Sequence, residues 1–344
     1  MTVTNTAMIG SMPQRDPAKA LEALAKFPLG IPTWPQLPKR SFKESMTVQY
    51  SEGFPGIVVD EKEKRISIER GDRLLEGMTS FYEAVVNEDE KPFSITEAYA
   101  GGLHQFITNI RASGVKYPLV KGQVVGPFTF GFGLNDNECR AAWFDEQYRD
   151  VVVKGLIMKA LWQARALSAC ADRVLMFLDE PIFSALGTPT YIGIENEHVL
   201  FALDEITVAL HGIKALVGVH CCGNMEWSLL AQSTIDVISF DAYSFGDKVA
   251  LYPEAINSFL NRHGKLAWGL VPTDTTEHIN GESGESLCVK AHELERLFVS
   301  KGISLELLKK QRIITPSCGM GNLSEAEAMR VLELLHYVGE HVDG

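Results

Sequence analysis

A histidine and a cysteine two residues apart, His220 and Cys222, close the apolar run that starts at Ala215. A third candidate ligand, Cys318, sits far along the chain in Thr315-Pro-Ser-Cys-Gly-Met-Gly. On a β-strand, residues i and i+2 share a face, so His220 and Cys222 point at one place while Cys221 turns away. Imidazole nitrogen and thiolate sulfur are the donor set that selects zinc. Two donors from one strand end and one from a distant strand predict an open, reactive zinc site, one ion per chain, rather than a closed structural one.

Other reactive residue types fall at similar places. Ser11 follows Met8-Ile-Gly, and Gly126-Pro127 follows Val124-Val125. Asp179-Glu180-Pro181 follows Val174-Leu-Met-Phe-Leu, and Asp241 follows Val237-Ile-Ser-Phe. Each stands where an apolar run gives way to a loop at its C-terminal end, which is the active-site face of a barrel.

The elements that must position them read as strands alternating with helices. Short β-branched runs cover Thr6 to Ser11, Leu119 to Val125, Val174 to Leu178, Ala215 to His220, Asp236 to Asp241, Leu266 to Val271 and Arg312 to Thr315. Helical spacing fills Ala141 to Ala171, Glu197 to His211, Ser286 to Lys301 and Ser324 to Val342. Continuous apolar runs are the mark of buried parallel strands. The alternation predicts an α/β chain, a (β/α)8 TIM barrel first and a doubly wound sheet second. A polar-tipped β-hairpin, Ile57 through Ile68, interrupts the rhythm inside an insertion of roughly residues 35–95. No linker or repeat divides residues 1–344, so one catalytic barrel domain is expected.

Composition narrows the function. The chain has 344 residues, 46% hydrophobic, and a net charge of −12. An acidic chain without a basic face argues against nucleic acid and anionic membrane as partners. No apolar run reaches membrane-spanning length, and the start lacks the basic and apolar regions of a signal peptide. Six scattered cysteines do not make a disulfide scaffold. A cytoplasmic enzyme is the expectation. Cys139, Cys170, Cys221 and Cys288 read as small packing residues.

These residues resemble the C-terminal catalytic barrel of the cobalamin-independent methionine synthase family. That superfamily also includes uroporphyrinogen decarboxylase and the zinc-dependent corrinoid:thiol methyltransferases. Ile9-Gly-Ser-Met-Pro-Gln is similar to the family's Ile-Gly-Ser-Phe-Pro-Gln, and Val120-Lys-Gly-Gln-Val-Val-Gly-Pro-Phe-Thr to its Lys-Gly-x-x-x-Gly-Pro-x-Thr segment. Leu178-Asp-Glu-Pro, His220-Cys-Cys and Pro316-Ser-Cys-Gly resemble its Asp-Glu-Pro, His-x-Cys and Pro-Asp-Cys-Gly motifs. The Gly223-Asn224 that follows is closer to the coenzyme M methyltransferases. The two-barrel synthases are about twice as long, so the resemblance is closest to the short "core" methionine synthases.

The resemblance implies a zinc held by His220, Cys222 and Cys318, with Asp241 as fourth ligand where the synthases carry a glutamate. It implies methyl transfer from methylcobalamin, free or as a corrinoid protein, to homocysteine. Asp179 and Glu97 are the candidate partners of the homocysteine ammonium, and Ser11 of its carboxylate. Each has a plainer rival. Asp179 and Glu97 could simply favour helix starts, and Ser11 could be a turn residue. His278, in the loop after Val271, is not counted as a ligand. Three other readings stay open: methylation of another thiol of the coenzyme M type, a metal-free decarboxylase of the uroporphyrinogen type, and a non-catalytic zinc protein that binds a corrinoid or shuttles thiols. The decarboxylase would need cations for several carboxylates, and near the N-terminus the chain offers only Arg15, Lys39 and Arg40.

Overall fold

The computed structural model describes residues 5–191 and 193–343. Its main sheet is a six-stranded parallel half-barrel, in the order β3 (Tyr117–Val125), β5 (Ala171–Asp179), β6 (Leu216–Cys221), β7 (Val237–Phe240), β8 (Lys265–Val271) and β9 (Arg312–Pro316). Helices connect successive strands and cover the outer face. Glu146–Ser168 packs on β3 and β5, Asn196–Gly212 on β6, Ala242–Val249 on β8, and Glu325–His341 on β9. The first of these starts five residues later than its apolar spacing predicts. Asp145 caps it, accepting from the Tyr148 N–H at 3.1 Å.

The ladder has six strands, where the sequence predicts eight in a closed barrel. Two extended segments run between its edges, tied by isolated bridges. Thr6 bridges Ile314 of β9, and Thr33 bridges Lys121 of β3. Between them the Ile31 N–H donates to the Thr6 carbonyl at 2.8 Å and the Gln36 N–H to the Gly10 carbonyl at 3.1 Å. The second segment contains Pro32 and Pro35, which have no N–H to give to a ladder. That explains bridges in place of a regular strand.

The expected hairpin forms from β1 (Ile57–Asp60) and β2 (Arg65–Ile68), antiparallel, with β4 (Asn135–Asp136) added parallel to β2. The Asp60 carboxylate closes its tip by accepting from the N–H groups of Lys62 and Glu63.

Inside the half-barrel, alternate residues pack as a separate core: Ala7, Ile31, Leu175, Phe177, Val237, Ala267 and Ile313. Gly218 faces the same interior, and a Cβ there would lie 2.5 Å from the Phe177 ring. Continuing each inward row by twos reaches Asp179 on β5, His220 and Cys222 on and just beyond β6, and Ser239 and Asp241 on and just beyond β7. The apolar floor of the half-barrel therefore leads directly to its polar rim. Among the described residues no helix is long and apolar enough to cross a membrane.

Candidate metal centre

His220, Cys222 and Cys318 come together. Their ligand atoms all lie within 4.8 Å of one another, and among the described residues no other group of His, Cys, Asp and Glu converges in this way. His220 is buried, and Ser239, its neighbour in the β6–β7 register, meets its Nδ1 at 3.0 Å. With a proton on Nδ1 shared toward Ser239, the lone pair is left on Nε2, which is buried and has no hydrogen-bond partner. The Cys222 thiol is pulled well down, first by the neighbouring Cys318 and then by the His220 ring, and Cys318 is pushed up by Cys222. One unpartnered imidazole nitrogen and two sulfurs, one already inclined to thiolate, fit a zinc ion.

A cavity of about 250 Å³ opens above them. Asp179 lines it, next to His220 in the β5–β6 register, and its buried Oδ1 has no partner. Burial pushes its carboxyl above the usual range, and the Lys121 ammonium opposes that shift. Ser11 also lines the cavity. Its Oγ accepts from the Gly321 N–H at 3.1 Å, and its carbonyl accepts from the Met320 N–H at 2.9 Å. The Cys318 loop is thereby fixed to the segment after Gly10. Gly319 is required at this approach, because a Cβ there would lie 2.2 Å from Ser11 Oγ.

Two expected site residues have other partners in the structure. Asp241 stands at the right end of the sheet, but its carboxylate caps the helix Ala242–Val249, accepting from the Ser244 N–H at 2.8 Å, and it does not join the ligand group. A residue that immediately precedes a helix is drawn to the free N–H groups of its first turn. Glu97 is exposed in a turn and does not line the cavity, and only its backbone carbonyl is engaged, by Arg40 at 3.1 Å. The second carboxylate in the cavity wall is Glu44, from the insertion. It is buried, paired with Arg40, and accepts from the Leu37 N–H at 3.3 Å. Nothing in its polar surroundings marks it in the sequence.

Lys121, the cation that acts on Asp179, does not itself line the cavity. It is fully buried, with Nζ 2.5 Å from the Ile9 carbonyl, 3.1 Å from Gln123 Oε1 and 4.4 Å from the centre of the Phe177 ring. Its signal was available: a lysine at an inward position of the apolar run Leu119 to Val125.

No family model matches the chain, and no curated protein sequence does. Solved structures share its fold. A B12-independent methionine synthase from a Shewanella species, in complex with selenomethionine, superposes with a TM-score of 0.61 at 16% identity, over 99% of this chain and 98% of that one. A methyltransferase from Methanosarcina mazei gives a TM-score of 0.55 at 15% identity, over 98% and 94%. A candidate vitamin-B12-independent methionine synthase from Listeria monocytogenes gives 0.57 at 14% identity, over 96% of each chain. The fold is thus that of methionine synthase-like and methyltransferase structures, with the His220, Cys222 and Cys318 group at the C-terminal edge of its parallel strands.

Proposed function

We propose that this chain is a zinc-dependent methyltransferase that moves a methyl group from a methylcorrinoid to the thiol of homocysteine, giving methionine. In this reading residues 1–344 form one barrel whose first two strands are the irregular segments. The observation that carries the proposal is the convergence of His220, Cys222 and Cys318 on the cavity that Asp179 and Ser11 line. Those three residues would hold the zinc, which when bound holds a substrate thiol as thiolate at neutral pH.

The remaining work belongs to the chain. Ser239 fixes the His220 ring and its tautomer. The unpartnered Asp179 Oδ1 receives the homocysteine ammonium. The Ser11 hydroxyl, which accepts from Gly321, keeps its own O–H to donate to the homocysteine carboxylate. The walls orient the sulfur toward the mouth, so that its lone pair forms the C–S bond as the Co–C electron pair returns to cobalt. The Shewanella neighbour is described as B12-independent, which is a description of that enzyme. For this chain the corrinoid donor is supported by charge and by the cavity lining, and a direct comparison of donors tests it.

Two rival readings fit the cavity less well. A decarboxylase of polycarboxylates, or a methyltransferase for a sulfonate thiol, would need cations in the wall. Among the described residues that line the cavity, none is Lys or Arg, whereas Asp179 and Glu44 both are present. The test is Cys318→Ser. It should lower zinc from one ion per chain and abolish methyl transfer from methylcobalamin to homocysteine. Full zinc content with the wild-type rate would remove the site.

A further inference from the structure

The cavity is too small for the methyl donor that the proposed function requires. At about 250 Å³ it falls below the ~300–1,000 Å³ of pockets that enclose a drug-sized ligand, and a corrin is larger than such a ligand. The homocysteine can enter, but the macrocycle has to remain outside with its methyl face on the mouth.

Three segments build that mouth. The insertion supplies Pro38 and Met46, the loop after β5 supplies Pro181, and the loop after β9 supplies Asn322. The first and third are fastened together. The Pro38 ring sits where a Cβ on Gly321 would lie 2.7 Å from its Cγ, and Lys39 Nζ donates to the Leu323 carbonyl at 2.6 Å. The lip is therefore set before any ligand arrives. Its surface is mostly hydrocarbon. Pro38 and Pro181 have no N–H, and Met46, a type usually inside, is 43% exposed. The upper face of a corrin around its methyl group is methyl and methylene surface bordered by amide arms, which Asn322 at the same lip can meet. A reduced folate adds anionic carboxylates, and among the described residues that line the cavity none is Lys or Arg.

We infer that Met46, with Pro38 and Pro181, forms a docking rim for the methyl-bearing face of a corrinoid. This rests on the methyltransferase reading above and adds to it the surface that holds the donor. In the transfer the Co–C bond breaks with its pair on cobalt, the C–S bond forms from the thiolate, and the thiol proton has already left to solvent.

The experiment uses the zinc-loaded full chain, free methylcobalamin and homocysteine. Met46→Glu should raise the KM for methylcobalamin roughly tenfold or more, with the KM for homocysteine and the zinc content changed by less than about twofold. Met46→Leu should keep the wild-type KM for methylcobalamin. Phe201→Glu, a 72% exposed position outside the cavity lining, controls for added charge. An unchanged methylcobalamin KM in Met46→Glu overturns the rim and leaves the methyltransferase standing. Loss of zinc or of homocysteine affinity in that variant assigns Met46 to the thiol pocket and also overturns the rim. A wild-type chain that binds zinc and homocysteine yet takes no methyl from methylcobalamin overturns both.

Discussion

His220 offers a metal one nitrogen because Ser239 occupies the other. Neither residue is exposed to water that could do the same job. Removing the hydroxyl leaves a buried ring free to rotate and to exchange tautomers. Ser239→Ala should therefore weaken zinc binding by about 10–100-fold, measured by competition with a chromophoric chelator, while native stability falls far less. Equal zinc affinity in variant and wild type would show that Ser239 does not orient the ring. At this scale the sequence is legible where a side chain's direction follows from the period of two. His220 with Cys222, and Asp179 as the third inward residue of its row after Leu175 and Phe177, are read in that way. It is not legible where a competing local contact wins, as the helix cap does for Asp241. Nor is it legible where a long-range fold decides, as it does in placing Glu44 rather than Glu97 in the cavity wall.

Between residue and fold stand the short connecting elements, and Glu180 holds one of them. Its Oε1 accepts from the Phe128 N–H at 2.8 Å, and its Oε2 accepts from the Thr129 N–H at 2.8 Å and the Thr129 hydroxyl at 2.6 Å. The helix Pro127–Gly133 that follows β3 is thereby fixed to the end of β5, beside Asp179. Gly126 is needed for the approach, since a Cβ there would meet the Glu180 carboxyl at 2.2 Å. Burial pushes the Glu180 carboxyl up from its usual 4.5 to about 7, against the pull of its three donors. A carboxyl raised in the native state favours folding most when protonated. Its contribution is full below about pH 4.5 and is lost as pH rises through 7. The loss is roughly 3 kcal/mol, at about 1.4 kcal/mol per unit. Glu180→Gln should remove this part of the decline in stability between pH 5 and pH 8, as read by denaturant unfolding at both values. The same decline in the variant would place the titration elsewhere. Strand and helix order was readable at this scale because buried parallel strands are continuous apolar runs. The second extended segment lacks a regular ladder for a reason also present in the sequence, Pro32 and Pro35, but its effect depends on which neighbours ask for an N–H.

On the scale of the whole molecule, charge bears on the choice of donor. The chain has 44 acidic and 32 basic residues, a net charge of −12. Glu44 in the cavity wall is paired with Arg40, and among the described lining residues none is Lys or Arg, so no free cation there offsets the charge of the chain. A field of this sign repels a polyglutamylated folate and is nearly indifferent to a corrinoid of small net charge. The sequence already contained the charge, but the absence of a lining cation became visible only when the insertion closed one side of the cavity with Pro38, Glu44 and Met46. Both facts favour the same donor. With homocysteine in excess and the two donors offered separately at equal concentration, methionine should form from methylcobalamin and not from methyltetrahydrofolate or its polyglutamate. The contrast with the polyglutamate should narrow as salt is raised, because screening weakens the repulsion of its tail. Efficient turnover with the folate alone, in corrinoid-free enzyme, would overturn the donor assignment. The zinc argument would survive that result, since a zinc held by His220, Cys222 and Cys318 would activate the thiol whichever molecule supplies the methyl group.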